Sequence, residues 1–167
     1  MSSRVKADSR EGVKVLARLS EQIASRAFQP SLGGGVRILA VDDDPIQREF
    51  STVYLGGEEA SVTTAASAEE GLAILAREAF DIALIDVDMP GMDGIEMVAA
   101  LRADPKFAGL PLMVITGRED MLSIDLAFNA GATSFMVKPV NWRLLSHQVK
   151  FLLRAHRSLS AAKAANA

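Results

Sequence analysis

From Val36 onward, short apolar runs alternate with segments of helical period, five times over, and this alternation leaves few folds open. Val36–Val41 reads as a buried strand, followed by Ile46, Phe50, Val53 and Tyr54 at helical spacing with Asp44 as N-cap and Pro45 at the first helical position. A weaker strand over Ala60–Ala65 precedes Ser67-x-x-Glu70, a capping box that opens a helix carrying Leu72, Leu75, Ala76 and Ala79. Residues 82–85 are the most apolar strand and run into Asp86. Asp93-x-x-Glu96 caps a third helix, and residues 112–115 form a fourth strand. Met121, Ile124 and Phe128 mark a fourth helix that stops at Gly131, and Ser134–Val137 is a fifth strand. The last helix follows Asn141, with Trp142, Leu145, Val149 and Leu152 on one face. Strands and helices that alternate through short connections demand parallel strands and right-handed crossovers. The fold class is therefore α/β, a doubly wound five-stranded parallel sheet with helices on both faces.

Such sheets bind ligands at the carboxyl ends of their strands. Here those ends carry Asp42, Asp43 and Asp44, then Asp86, Thr116 and Lys138-Pro139. Carboxylates crowded on one rim raise one another's pKa unless a cation intervenes, and a hard divalent ion with oxygen ligands is the natural partner. Magnesium fits best, because it keeps waters and leaves room for phosphate oxygens. Asp44 and Asp93 are accounted for as helix caps, which leaves Asp42, Asp43 and Asp86 for chemistry. Composition excludes other classes. With Lys+Arg 18 against Asp+Glu 21 and net charge −3, no global attraction to nucleic acid or anionic lipid is expected. The absence of cysteine removes disulfides, thiolate catalysis and the usual zinc sites. No apolar run suits a signal peptide or membrane span, so a cytoplasmic protein without membrane contact is expected.

Four segments in order, Val41-Asp42-Asp43-Asp44-Pro45, Leu84-Ile85-Asp86-Val87-Asp88-Met89-Pro90-Gly91-Met92-Asp93-Gly94, Val114-Ile115-Thr116-Gly117 and Phe135-Met136-Val137-Lys138-Pro139, resemble the receiver domain of two-component response regulators. The resemblance covers roughly residues 36–153 and implies the flavodoxin-like receiver fold. It implies that Asp86 is a phosphoacceptor and that Mg2+ is held by Asp43 directly, Asp42 through water, Asp86 and the main-chain carbonyl of Asp88. Lys138 would supply the opposing positive charge, Thr116 and Phe135 would form the conformational switch, and Pro139 resembles the family's cis-proline. The implied protein is a signalling phosphoacceptor rather than an enzyme. Its implied partners are a histidine kinase or histidine phosphotransfer protein and a downstream protein target. Asp88 and Arg118 are positions that vary in the family and tune phosphoryl lifetime; here they could bridge across the site mouth.

Outside this span, residues 1–35 read as an amphipathic helix, with Val13, Leu16, Ser20, Ile23 and Ala27 on one stripe, and a glycine joint at Gly33-Gly34-Gly35. That helix is expected to dock on the face formed by the fourth helix, fifth strand and fifth helix, or to join a homodimer, for which the C-terminal helix is the other expected element. Residues 154–167 extend the last helix through Ala155, Leu159 and Ala162, and Leu152-Leu153-Arg154-Ala155 resembles the junction that leads into effector domains in some longer regulators. Residues 140–167 are too short for an effector domain. Two other readings stay open: a phosphohydrolase of the haloacid-dehalogenase type built on Asp42-x-Asp44, and a receiver-like scaffold that works without phosphorylation.

Overall fold

A computed structural model describes residues 35–117 and 121–167. Five strands, β1 (Val36–Val41), β2 (Ala60–Ala65), β3 (Ile82–Asp86), β4 (Leu112–Thr116) and β5 (Ser134–Val137), form one parallel sheet in the order β2-β1-β3-β4-β5. Between them run α1 (Pro45–Leu55), α2 (Ala68–Arg77), α3 (Gly94–Ala103) with a 3-10 turn at Pro105–Phe107, α4 (Met121–Ala130) and finally α5 (Trp142–Ala165). The doubly wound α/β expectation holds. β3 and β4 are buried along their whole length, which is why their sequences are continuous apolar runs rather than alternating ones. β2 lies on an edge and is only half-buried, matching its weaker pattern.

Local chemistry starts the helices where it was expected to, although α2 ends at Arg77 with Glu78 as its C-cap and so leaves out Ala79. The Asp44 carboxylate accepts from the Ile46 N–H at 2.9 Å and opens α1. In α3 both bonds of the capping box are present, Glu96 N–H to Asp93 at 2.8 Å and Asp93 N–H to Glu96 at 3.1 Å. Ser67 caps α2, but Glu70 reaches back to the Ala66 N–H rather than to that of Ser67. Gly131 ends α4 at φ +105°, a conformation that excludes most side chains.

In three helices the apolar positions that marked the element are not all the buried ones. In α1 the stripe of Ile46, Phe50, Val53 and Tyr54 faces outward, and Ser51 and Leu55 are the buried positions. The rings do not reach the core because they pack on each other: Tyr54 stacks on Trp142 at 6.0 Å and Phe50 meets Trp142 edge-on at 5.7 Å. In α4 Met121 and Phe128 are exposed, and Ala127 is the buried residue. In α5 the core face is Leu145, Val149 and Leu153, so Leu152 lies one position off the buried line. The helix expected within residues 1–32 lies outside the described residues.

Candidate functional site

The sheet's strand order reverses between β1 and β3, and the register there sets the site. Val41 pairs with Ile85, so Asp42, which follows Val41, and Asp86, which follows Ile85, leave the sheet side by side. Asp86 in turn lies opposite Ile115, placing Thr116 one residue farther along the next strand, and Thr116 lies opposite Val137, which precedes Lys138. Main-chain bonds extend this alignment past the strand ends, from Val87 N–H to Ile115 O at 2.9 Å and from Lys138 N–H to Thr116 O at 2.8 Å.

The side chains converge. One carboxylate oxygen from each of Asp42, Asp43 and Asp86 lies within 4.8 Å of the other two. The Lys138 ammonium sits 2.9 Å from the Asp86 carboxylate and 3.8 Å from that of Asp42. Asp86, only 2% exposed, and Asp42 are buried, whereas Asp43 faces solvent. The Lys138-Pro139 peptide is cis. Asp42 also accepts from the Asp44 N–H at 2.9 Å, and its carbonyl accepts from the Arg48 guanidinium at 2.8 Å.

Burial dominates the electrostatics of the two inner acids. Desolvation pushes Asp86 up to about 6, with Asp42 and Asp43 pushing the same way and Lys138 opposing. Desolvation likewise raises Asp42, against the Asp44 N–H and Lys138. For Lys138 burial pulls down, but Asp86 and Asp42 outweigh it and hold its pKa above the usual lysine value. One ammonium therefore faces three carboxylates, a donor set of hard oxygens left short of positive charge, and a divalent cation such as Mg2+ fits it. Asp44 stands apart, engaged as the α1 cap. This disfavours the phosphohydrolase reading, which needs it for chemistry.

The segment after Asp86 is held by contacts that sequence reasoning missed. Gly94 N–H donates to the Val87 carbonyl at 3.0 Å, and a Cβ on Gly94 would collide with the Asp86 carbonyl and the Val87 Cα. Glu69, from the first turn of α2, accepts from the Met92 N–H at 3.1 Å and so ties the loop to a neighbouring helix. Its partner is 23 residues away, and no local pattern announces such a bond. Asp88 is exposed beside Gly117; the expected bridge to Arg118 falls outside the described residues. Thr116 is buried, and Phe135 is 42% exposed. A cavity of about 480 Å3 lies between them, bounded also by Val87, Asp88, Ile124 and Ala127.

Comparison with known proteins identifies the family and the fold. The family model for the response regulator receiver domain matches residues 38–150. Among curated proteins, the transcriptional regulatory protein AruR of Pseudomonas aeruginosa is 35% identical over 130 residues, covering 75% of this chain and 52% of its own length. The DNA-binding response regulator MtrA of Mycolicibacterium smegmatis is 33% identical over 118 residues, covering 71% and 50%. The chain thus spans about half the length of these relatives, and the DNA binding in the second name belongs to that longer protein. Of solved structures, a CheY-like receiver from Methanospirillum hungatei superposes with TM-score 0.70 at 33% identity, over 75% of this chain and 98% of that one. The chemotaxis protein CheY4 of Vibrio cholerae gives 0.68 at 30%, over 71% and 99%. Among the described residues no helix is long and apolar enough to cross a membrane.

Proposed function

Because the chain belongs to the response regulator receiver family, we propose that residues 36–153 act as a phosphoryl acceptor, with Asp86 as the nucleophile. A carboxylate oxygen of Asp86 attacks the phosphorus of a phosphohistidine on a kinase or phosphotransfer protein. The P–O bond forms as the P–N bond breaks, the donor imidazole leaves with the electron pair and takes a proton, and Asp86 becomes an acyl phosphate. Attack requires the ionised carboxylate. Lys138, at 2.9 Å, favours that form against burial and offers its charge to the incoming phosphoryl oxygens.

Asp42, Asp43 and Asp86, with the main-chain carbonyl of Asp88, would hold Mg2+. When bound, the ion screens the repulsion between the carboxylates and the phosphoryl oxygens. Thr116 and Phe135 are read as the switch: the hydroxyl turns to the new phosphoryl oxygen, and the ring moves from solvent into the cavity beside Thr116. Output then passes through protein contacts. The chain is read as a signalling phosphoacceptor that acts in the cytoplasm, with only its own dephosphorylation as catalysis.

The observation that carries this reading is the meeting of three carboxylates and one ammonium at the point where strand order reverses. Incubation with Mg2+ and acetyl phosphate should add one phosphoryl group by intact mass, mapped to Asp86. Labelling should disappear in Asp86→Asn and in the presence of a chelator. Label on any other residue, or label that survives Asp86→Asn, would overturn it.

A further inference from the structure

The 24-residue helix α5 carries Arg143, Lys150, Arg154, Arg157 and Lys163, two histidines, and no Asp or Glu, in a chain whose net charge is −3. Its charges are ordered. Arg143, His147, Lys150, Arg154 and Arg157 follow one another at intervals of four and three residues and so share one face. Beside that face runs an apolar stripe of Leu144, Phe151, Ala155, Leu159 and Ala162, and its three large members are 49%, 65% and 64% exposed. The Arg154 guanidinium lies 5.6 Å over the Phe151 ring, joining the two stripes. Arg143, Arg154 and Arg157 make no ion pair with a carboxylate among the described residues. The last buried residue of α5 is Leu153, so three turns continue beyond the core, a length of helix that gains little stability in water without a covering surface.

We propose that this face of α5 docks an acidic amphipathic helix of a partner protein, with apolar residues against Leu144, Phe151 and Leu159 and carboxylates against the arginine face. The inference rests on the reading of the chain as a signalling phosphoacceptor, whose protein target it describes chemically. Charge selects this occupant. A second copy laid helix against helix would set two rows of like charge beside its apolar contact, with no acid on either helix to offset them, which costs affinity. Nucleic acid would neutralise the arginines and leave Phe151 and Leu159 in water. A lipid-lying helix has cationic residues flanking its apolar face on both sides, and here one flank holds four lysines and arginines and the other only Lys163.

The test uses the full chain and a labelled synthetic helical peptide with leucines at intervals of three and four residues and glutamates beside them, followed by fluorescence anisotropy. A matched peptide with lysine in place of glutamate is the control. The glutamate peptide should bind, more weakly as salt rises, and the lysine peptide should not. The double variant Arg143→Glu/Arg154→Glu should weaken binding by about tenfold or more. The exposed change Leu159→Gln should weaken it independently, while both variants keep wild-type labelling by acetyl phosphate. Equal binding of both peptides, or none, overturns the proposal. So does α5-dependent self-association in sedimentation, or binding to phosphatidylglycerol vesicles or duplex DNA that the same variants abolish. Peptide binding without label on Asp86 would instead remove the phosphoacceptor reading and leave the surface standing.

Discussion

Gly94 shows how much of the site depends on an atom that is missing. Its backbone passes so close to the Asp86 carbonyl and Val87 Cα that a methyl group has nowhere to go, and its N–H secures the Val87 carbonyl. Gly94→Ala must therefore displace the backbone that aims Asp86, at a cost of about 3 kcal/mol. Gly57→Ala, with nothing within 4 Å of the added atom, should stay within about 0.5 kcal/mol of wild type. Urea unfolding of the two variants makes the comparison, and equal losses would show that the close approach is not what matters. At this scale the sequence was most informative where chemistry clusters: Asp42, Asp43, Asp86 and Lys138 stood at strand ends, and strand ends of a parallel sheet share a rim. Glu69 and Arg48 were not legible. Each bonds to a main-chain group, Met92 N–H or Asp42 O, and main-chain groups leave no trace in composition or period.

Among elements, legibility followed burial. The continuous apolar runs of β3 and β4 and the capping residues of α1, α2 and α3 could be read directly, because both depend on neighbours in sequence. The facing of α1 and α4 could not, since an apolar stripe says that something will cover it without saying what. Phe50 and Tyr54 found Trp142 at the other end of the chain rather than the sheet. Connections between elements were equally hidden. Arg102, near the end of α3, donates to the carbonyls of Gly131 at 2.8 Å and Phe107 at 2.7 Å and to the Thr133 hydroxyl at 3.2 Å. It thereby joins α3, the 3-10 turn and the turn that enters β5. Arg102→Met keeps much of the stem and removes these donors, so it should cost about 2 kcal/mol, the scale of hydrogen bonds from a charged, part-buried donor. A lowered urea midpoint with an unchanged slope checks this, and an unaltered midpoint would show the bonds to be dispensable.

For the molecule as a whole, the acidic rim couples stability to pH and to cations. Burial holds Asp86 near pKa 6, above the 3.8 of an ordinary aspartate, so between these values the folded chain binds more protons than the unfolded one. Stability contributed at this position is therefore greatest below about pH 4 and declines as pH rises through 6; Asp42, also raised by burial, acts in the same direction. At 1.36 kcal/mol per pKa unit the Asp86 share is at most about 3 kcal/mol. Lys138 stays charged across this window and does not alter the sign. Other groups titrate over the same range, so the informative quantity is the difference between wild type and Asp86→Asn, which has no proton to exchange there. In chelator, the asparagine variant should gain on wild type as pH goes from 4 to 7 and be the more stable protein at neutrality. Adding Mg2+ at pH 7 should then stabilise wild type far more than Asp86→Asn, because a cation offsets the buried negative charge that the substitution removes. Unfolding curves that run parallel across this pH range would mean that Asp86 is not under electrostatic strain in the folded chain, and equal Mg2+ stabilisation of both proteins would place the cation elsewhere.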